Sequence, residues 1–316
     1  MLNQKLAKHS KCSARNSRHF YECLRRINPY FLTGMQLRMF PVNFIRIILF
    51  GPVDEKLNEN STQIPFITQT PEEIYDSGNV AKVPIIFSKT SGEADIPSLI
   101  STGYGLIGDA VFKLFWQGSG IGLLELMLSD NPAEKMKLID KRYFSGRNLA
   151  DVEINVFDNI ITDRFHGVGT HKAIQRQSQI STTYAMLISG PIQHGLAASV
   201  VGAPTGPTLV HADDVFLIFN STEVIKALKT TDSDYDLTKA LTEVISHFAK
   251  YRTTNFTRKS QEYEDWPAVT NPCDIQYWNV SKDSAKMTSV PKITLRNYLF
   301  WQNLGLVDTL PNPYNC

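Results

Sequence analysis

The chain has 316 residues, of which 42% are hydrophobic, 20% charged and 10% aromatic, an ordinary globular balance that excludes collagen-like, coiled-coil and disordered classes. Its 32 Lys and Arg nearly cancel its 31 Asp and Glu, so there is no basic stripe to neutralise phosphates and nucleic acid is not an expected partner. The longest apolar stretches, such as residues 44–50 with Arg46 inside, fall far short of the roughly 20 residues that cross a bilayer, and no membrane span is expected.

Residues 1–8 carry neither an apolar h-region nor a small-residue cleavage site, so this stretch does not read as a secretory signal. Phe20, Leu24 and Ile27 recur at helical spacing over residues 17–27, and a short polar loop separates Cys12 from Cys23. Residues 42–50 are rich in β-formers and end at Pro52. A polar loop through residues 54–80 then delivers the run Val83-Pro84-Ile85-Ile86-Phe87, a buried-strand signal. Residues 95–175 read as several helices, the last lined on one side by Ile160, Ile161, Phe165 and Val168. A second strand is expected over Thr183–Ile188. Leu237, Leu241, Val244, Ile245 and Phe248 follow the spacing of an amphipathic helix, and residues 292–303 read as one more helix. Strands separated by long helical stretches predict an α/β fold with a largely parallel sheet. No internal repeat, low-complexity tract or Gly/Ser linker marks a boundary, so the chain reads as one domain or part of one.

In α/β folds functional groups collect past the carboxyl ends of strands. After the first run come Ser88-Lys89-Thr90-Ser91-Gly92 and Glu93, expected as a polar turn bearing a carboxylate. After the second comes a Gly/Pro-rich excursion ending at His211. An acid followed by a later histidine is two-thirds of a Ser-acid-His triad in the chain order of α/β-hydrolases. In such a triad the imidazole takes the serine proton, and the carboxylate fixes its tautomer and stabilises the imidazolium. A solvated turn carboxylate and a structural loop histidine fit the same spacing. His194 reads as a loop residue, and His166 and His171 as surface or packing residues of a helix. Asp213 and Asp214 open an apolar segment and read as helix caps rather than metal ligands.

Several strings, in order along nearly the whole chain, resemble the type-B carboxylesterase (cholinesterase-like) family. They are Leu6-Ala7-Lys8 with Cys12, Cys23-Leu24-Arg25, Phe50-Gly51-Pro52-Val53-Asp54, and Val83 to Phe87 followed by Glu93. Tyr143-Phe144, Thr162-Asp163, His211 to Phe219, Phe248-Ala249-Lys250, Trp266-Pro267 and Arg296 to Trp301 continue the series. The resemblance implies the C-terminal half of an α/β-hydrolase fold, with residues 1–316 forming a partial carboxylesterase domain. It implies Glu93 as triad acid, His211 as triad base, a Cys12–Cys23 disulfide, a small carboxylic ester as substrate of the whole protein, and no metal or organic cofactor. It also leans toward an extracellular parent, in which the N-x-[ST] sequons at Asn60, Asn220, Asn255 and Asn279 would be glycosylation acceptors. Cys273 and Cys316 receive no assignment.

The departures are as informative. Ser88 and Ala94 stand where the family has glycines beside the acid, Ala212 replaces the glycine after the histidine as a mild change, and Tyr251 to Thr254 replace a Gly-Asn-Pro. No G-x-S-x-G and no oxyanion-type HGG string occurs. The implied function is therefore a fragment of a carboxylic-ester hydrolase that carries the acid and histidine without the serine, inactive alone. The alternatives are a non-catalytic cholinesterase-like binding or adhesion protein and an incomplete gene product.

Overall fold

A computed structural model describes residues 2–39, 53–55, 64–196, 199, 209–219, 222–223, 225–255, 265–289 and 292–306. The chain divides into two compact units, residues 1–68 with 115–136, and residues 69–114 with 137–316. The stretch expected to be β-rich at residues 42–50 lies outside the described residues.

The first unit opens with helices α1 (Leu2–Ser10), α2 (Ser17–Arg25) and α3 (Pro29–Met39), with α1 packed against α3. Lys11, at φ 57°, breaks the helical path after α1. Asn16 starts α2 by accepting the free N–H groups of Arg18 and His19 at 2.9 and 3.1 Å. The loop between α1 and α2 is closed by the Cys12–Cys23 disulfide, whose Cα atoms are 5.9 Å apart. Closing a loop of this size contributes on the order of 3 kcal/mol by constraining the unfolded chain.

The second unit holds a sheet of β1 (Ile85–Thr90), β2 (Thr183–Ile188), β3 (Gln276–Val280) and β4 (Ala285–Ser289), in that spatial order. β1, β2 and β3 run parallel, and β4 returns antiparallel from β3. Its helices are α4 (Pro71–Asp76), part of α5 (Ile96–Leu123), most of α6 (Pro132–Phe144), α7 (Ile154–Thr162), α8 (Val168–Gln177), α9 (Asp213–Ile218), α10 (Tyr235–Tyr251) and α11 (Lys292–Asn303).

Both faces of β2 are covered, which is why it reads as an unbroken apolar run. Tyr184, Met186 and Ile188 meet Leu237, Leu241 and Val244 of α10 together with Trp266 and Trp278. On the opposite face Ala185 packs with Ile174 of α8, Ile275 and Tyr277. Trp266 and Trp278 stack with ring centroids 4.7 Å apart. The fold is the expected α/β arrangement, and β2, α10 and α11 lie where the pattern predicts them.

Two details differ from the sequence reading. β1 starts at Ile85 and continues through Ser88-Lys89-Thr90, expected as a turn, because pairing of Thr90 with Ile188 of β2 carries the ladder onward. The hairpin β3–β4 was not expected. Tyr277 and Trp278 are consecutive and buried on opposite faces, so no polar–apolar alternation announces the strand.

Candidate active site

The turn after β1 is built around a close backbone approach. Gly92 forms a parallel bridge to Val210, donating its N–H to the Leu209 carbonyl at 2.8 Å, and Leu209 N–H donates to Ser91 Oγ at 3.3 Å. A Cβ on Gly92 would lie 2.1 Å from the Asp95 carboxylate, so any larger residue would force that side chain aside. The bridge sets Glu93 and His211 side by side although 118 residues separate them.

Glu93 is only 8% exposed. Its Oε1 accepts the Thr90 N–H at 2.7 Å, and its Oε2 lies 2.7 Å from His211 Nδ1. Ala94, in the place of a family glycine, is buried and donates its N–H to Thr162 Oγ1 at 3.1 Å. The His211 side chain is 65% exposed. With Nδ1 donating to the carboxylate, Nε2 keeps its lone pair for an incoming proton.

The histidine loop is held by Asp213, 1% exposed, whose Oδ1 accepts Leu196 N–H at 2.8 Å and Oδ2 accepts Val210 N–H at 2.9 Å. Asp213 therefore ties two loops together instead of only capping α9, as the sequence suggested. Asp214 lies in the first turn of α9, and burial followed by the Glu93 charge pushes its pKa up, against the backbone N–H groups of Val215 and its own residue.

Ala212 adopts φ 71°, the left-handed conformation natural to glycine, so this exchange is less mild than the sequence reading held. That conformation costs a residue with a Cβ about 1–2 kcal/mol. Ala212→Gly is expected to raise stability by about 1 kcal/mol after the added unfolded-state entropy of glycine. A shift of the urea midpoint to higher concentration would show it, and an unchanged or lower midpoint would contradict it.

His166, read from sequence as a surface or packing residue, stands at the site. A π-helical turn, Asp163–Gly167, joins α7 to α8 and presents His166 Nδ1 3.7 Å from Glu93 Oε2. The rings of His166 and His211 are 4.7 Å apart. Burial lowers the His166 pKa, Glu93 opposes the shift and His211 adds to it. Only its place three residues after Asp163 could have drawn attention to it.

The π-turn rests on a buried network. Asp163 Oδ2 accepts the Tyr143 hydroxyl at 2.7 Å and Asn297 Nδ2 at 2.9 Å, and Trp301 Nε1 donates to Tyr143 Oη at 2.7 Å. Burial raises the pKa of both Asp163 and Tyr143. Lys89 donates to the Tyr298 hydroxyl at 3.1 Å, and burial pulls its pKa down against Asp163 and Glu93. His171 is buried beside Tyr298, and burial, with Lys89 adding, takes its pKa to about 4. His194 sits in a loop, where its N–H and that of Gln193 bind Asp234.

Asp158 of α7 fastens the segment after the acid turn, accepting Ser98 N–H at 3.1 Å and bonding the Ser98 hydroxyl. Burial pushes its pKa up to about 7 from 3.8, against the Ser98 hydrogen bonds and with help from Asp95. The folded protein thus holds a proton that the unfolded chain releases between pH about 4 and 7. The stabilisation is full below that window and lost as pH rises through it. Asp158→Asn keeps an acceptor for Ser98 N–H and removes the titration. Its melting temperature relative to the parent is expected to rise from pH 4 to pH 8, and a pH-independent difference would refute the assignment.

Of the sequons, Asn255 is exposed after α10, while Asn279 lies half-buried in β3 with its Oδ1 accepting the Ser189 hydroxyl at 2.6 Å. Asn60 and Asn220 lie outside the described residues, as does Cys316, and Cys273 is disulfide-bonded. Among the described residues no helix is long and apolar enough to cross a membrane.

The carboxylesterase family pattern matches residues 2–299. No curated protein sequence matches significantly. Among solved structures, the chain is similar to juvenile hormone esterase from Manduca sexta with OTFP covalently attached, at TM-score 0.73 and 16% identity over 96% of this chain and 55% of that one. It is also similar to Aspergillus niger EstA, at TM-score 0.56 and 16% identity over 95% of this chain and 54% of that one. The chain therefore spans about half the length of both esterase structures, and the likeness extends to the α/β-hydrolase fold.

Proposed function

The chain belongs to the carboxylesterase family, and from that premise we propose that it is the acid–histidine part of a carboxylic-ester hydrolase that does not turn over esters by itself. The observation that carries this reading is the 2.7 Å contact between Glu93 Oε2 and His211 Nδ1, with the other Glu93 oxygen already engaged by Thr90.

In the complete enzyme a serine hydroxyl would attack the carbonyl carbon of a small carboxylic ester while His211 Nε2 takes its proton. The imidazolium, oriented and stabilised by Glu93, would return that proton to the leaving alcohol. Water would then attack the acyl-enzyme with His211 again as base. Neither the serine motif nor the oxyanion string is in these 316 residues, so both would come from elsewhere.

The surface of the second unit supports that division. Among the described residues β1 pairs only with β2. Ser88 is exposed on it and Ile85, Ile86 and Phe87 are half-buried, while Tyr104, Leu106, Ile107, Val111 and Leu114 of α5 stand exposed. An open strand edge and exposed apolar helix surface are features that a further strand-bearing segment would cover. The Cys12–Cys23 disulfide favours an oxidising, extracellular setting, in which Asn60, Asn220, Asn255 and Asn279 are glycosylation acceptors. The test is release of p-nitrophenol from p-nitrophenyl acetate by the purified chain, beside its His211→Ala variant.

A further inference from the structure

We propose that Glu93, His166 and His211 form a binding site for one divalent transition-metal ion, with Zn²⁺ as the probe. The three side chains come from the turn after β1, the π-turn and the loop before α9, and each offers a ligand atom within 4.8 Å of the other two. The acid–base reading uses Glu93 and His211 and leaves His166 without a task.

The distances suit an ion. Tetrahedral ligands bound at about 2.0–2.1 Å lie about 3.3 Å from one another. Glu93 Oε2 stands 2.7 Å from His211 Nδ1 and 3.7 Å from His166 Nδ1, on either side of that value, so rotations of less than an ångström bring both to it. Two imidazoles and one carboxylate are nitrogen and oxygen donors of the kind Zn²⁺ takes, and three protein ligands leave a position open to water.

The surroundings favour binding. Thr90 N–H holds Oε1 of Glu93, which fixes the carboxylate with Oε2 facing both imidazoles, where an ion would replace the Oε2–His211 hydrogen bond. Imidazole ligates through an unprotonated ring nitrogen, and both His166 and His211 present Nδ1 toward Glu93 Oε2. His211 binds through Nδ1 with its ring proton carried on the exposed Nε2. The Asp214 carboxylate beside Glu93 and His211 adds negative charge, while the Lys89 ammonium opposes it from its buried place against Tyr298. π-helical turns are rare and recur at functional sites.

The site does not depend on ester hydrolysis, and the test separates the two. The full chain is titrated with Zn²⁺ against a chromophoric chelator, and with Co²⁺ for the visible d–d absorption of a four-coordinate ion. One ion per chain is expected, with affinity reduced about tenfold or more in both His166→Ala and His211→Ala. His166→Gln, which retains size and polarity, is expected to lose affinity with a circular dichroism spectrum matching the parent, keeping the result separate from misfolding. His19→Ala, an exposed histidine of α2, is expected to bind as the parent does. Absence of stoichiometric binding, binding that survives loss of His166, or an equal loss in His19→Ala would overturn the proposal.

Discussion

Asp213→Ala is expected to destabilise the second unit by about 4 kcal/mol, the largest stability effect of any single side chain around the site. The carboxylate is 1% exposed and accepts Leu196 N–H and Val210 N–H through its two oxygens. Removing it leaves the buried Val210 N–H and the half-buried Leu196 N–H without their acceptor, at about 1–3 kcal/mol each. The space is tight as well, since a Cβ on Gly195 would lie 2.4 Å from Asp213 Oδ1. Asp214→Ala, at a half-buried carboxylate in the first turn of α9, should cost about 1 kcal/mol or less. Urea denaturation of both variants checks the contrast. If Asp213→Ala lost no more than Asp214→Ala, the loop would be held by something other than this carboxylate.

What the sequence revealed and what it concealed follow from the range of the forces involved. β2 was legible to the residue because burial on both faces demands an unbroken apolar run, and α10 because one face meets the sheet and the other meets water. β3 was hidden by the same double burial in a shorter segment that includes Gln276 and Asn279. Glu93 and His211 could be singled out because each follows a strand-like run and their order matches a hydrolase. Their contact depends on the Gly92–Val210 bridge between distant loops, which no local pattern encodes. His166 was missed for a similar reason. Its direction is set by the π-turn, which is anchored through Asp163 to Tyr143 and to Asn297, 134 residues on. Asp213 looked like a cap because caps are local, whereas its Leu196 partner is 17 residues back.

The purified chain is expected to cleave p-nitrophenyl acetate faster than its His211→Ala variant by no more than the increment that free imidazole gives. In a Ser-His-acid triad the serine oxygen supplies the electron pair that forms the acyl bond, and the histidine and acid act only through it. Where the members work as a unit, loss of the nucleophile alone lowers kcat about a millionfold, roughly as much as losing all three. No G-x-S-x-G is present to supply that oxygen, and no HGG-type loop is present to donate to the developing oxyanion, a contribution of about 10²–10³ in kcat by itself. An exposed His211 with a free Nε2 can still act as a general base toward water or attack an activated ester directly, but without a positioned nucleophile or oxyanion donors that is small-molecule imidazole chemistry. Its rate should be first order in ester without saturation, and should fall to the buffer rate in His211→Ala only by the increment free imidazole would give. Saturable turnover, with a burst of p-nitrophenol equal to the protein concentration, would reveal a nucleophile elsewhere in the chain. Ser91 and Ser119 would then be the first to replace: Ser91 borders the acid turn, and Ser119 stands between Gly118 and Gly120.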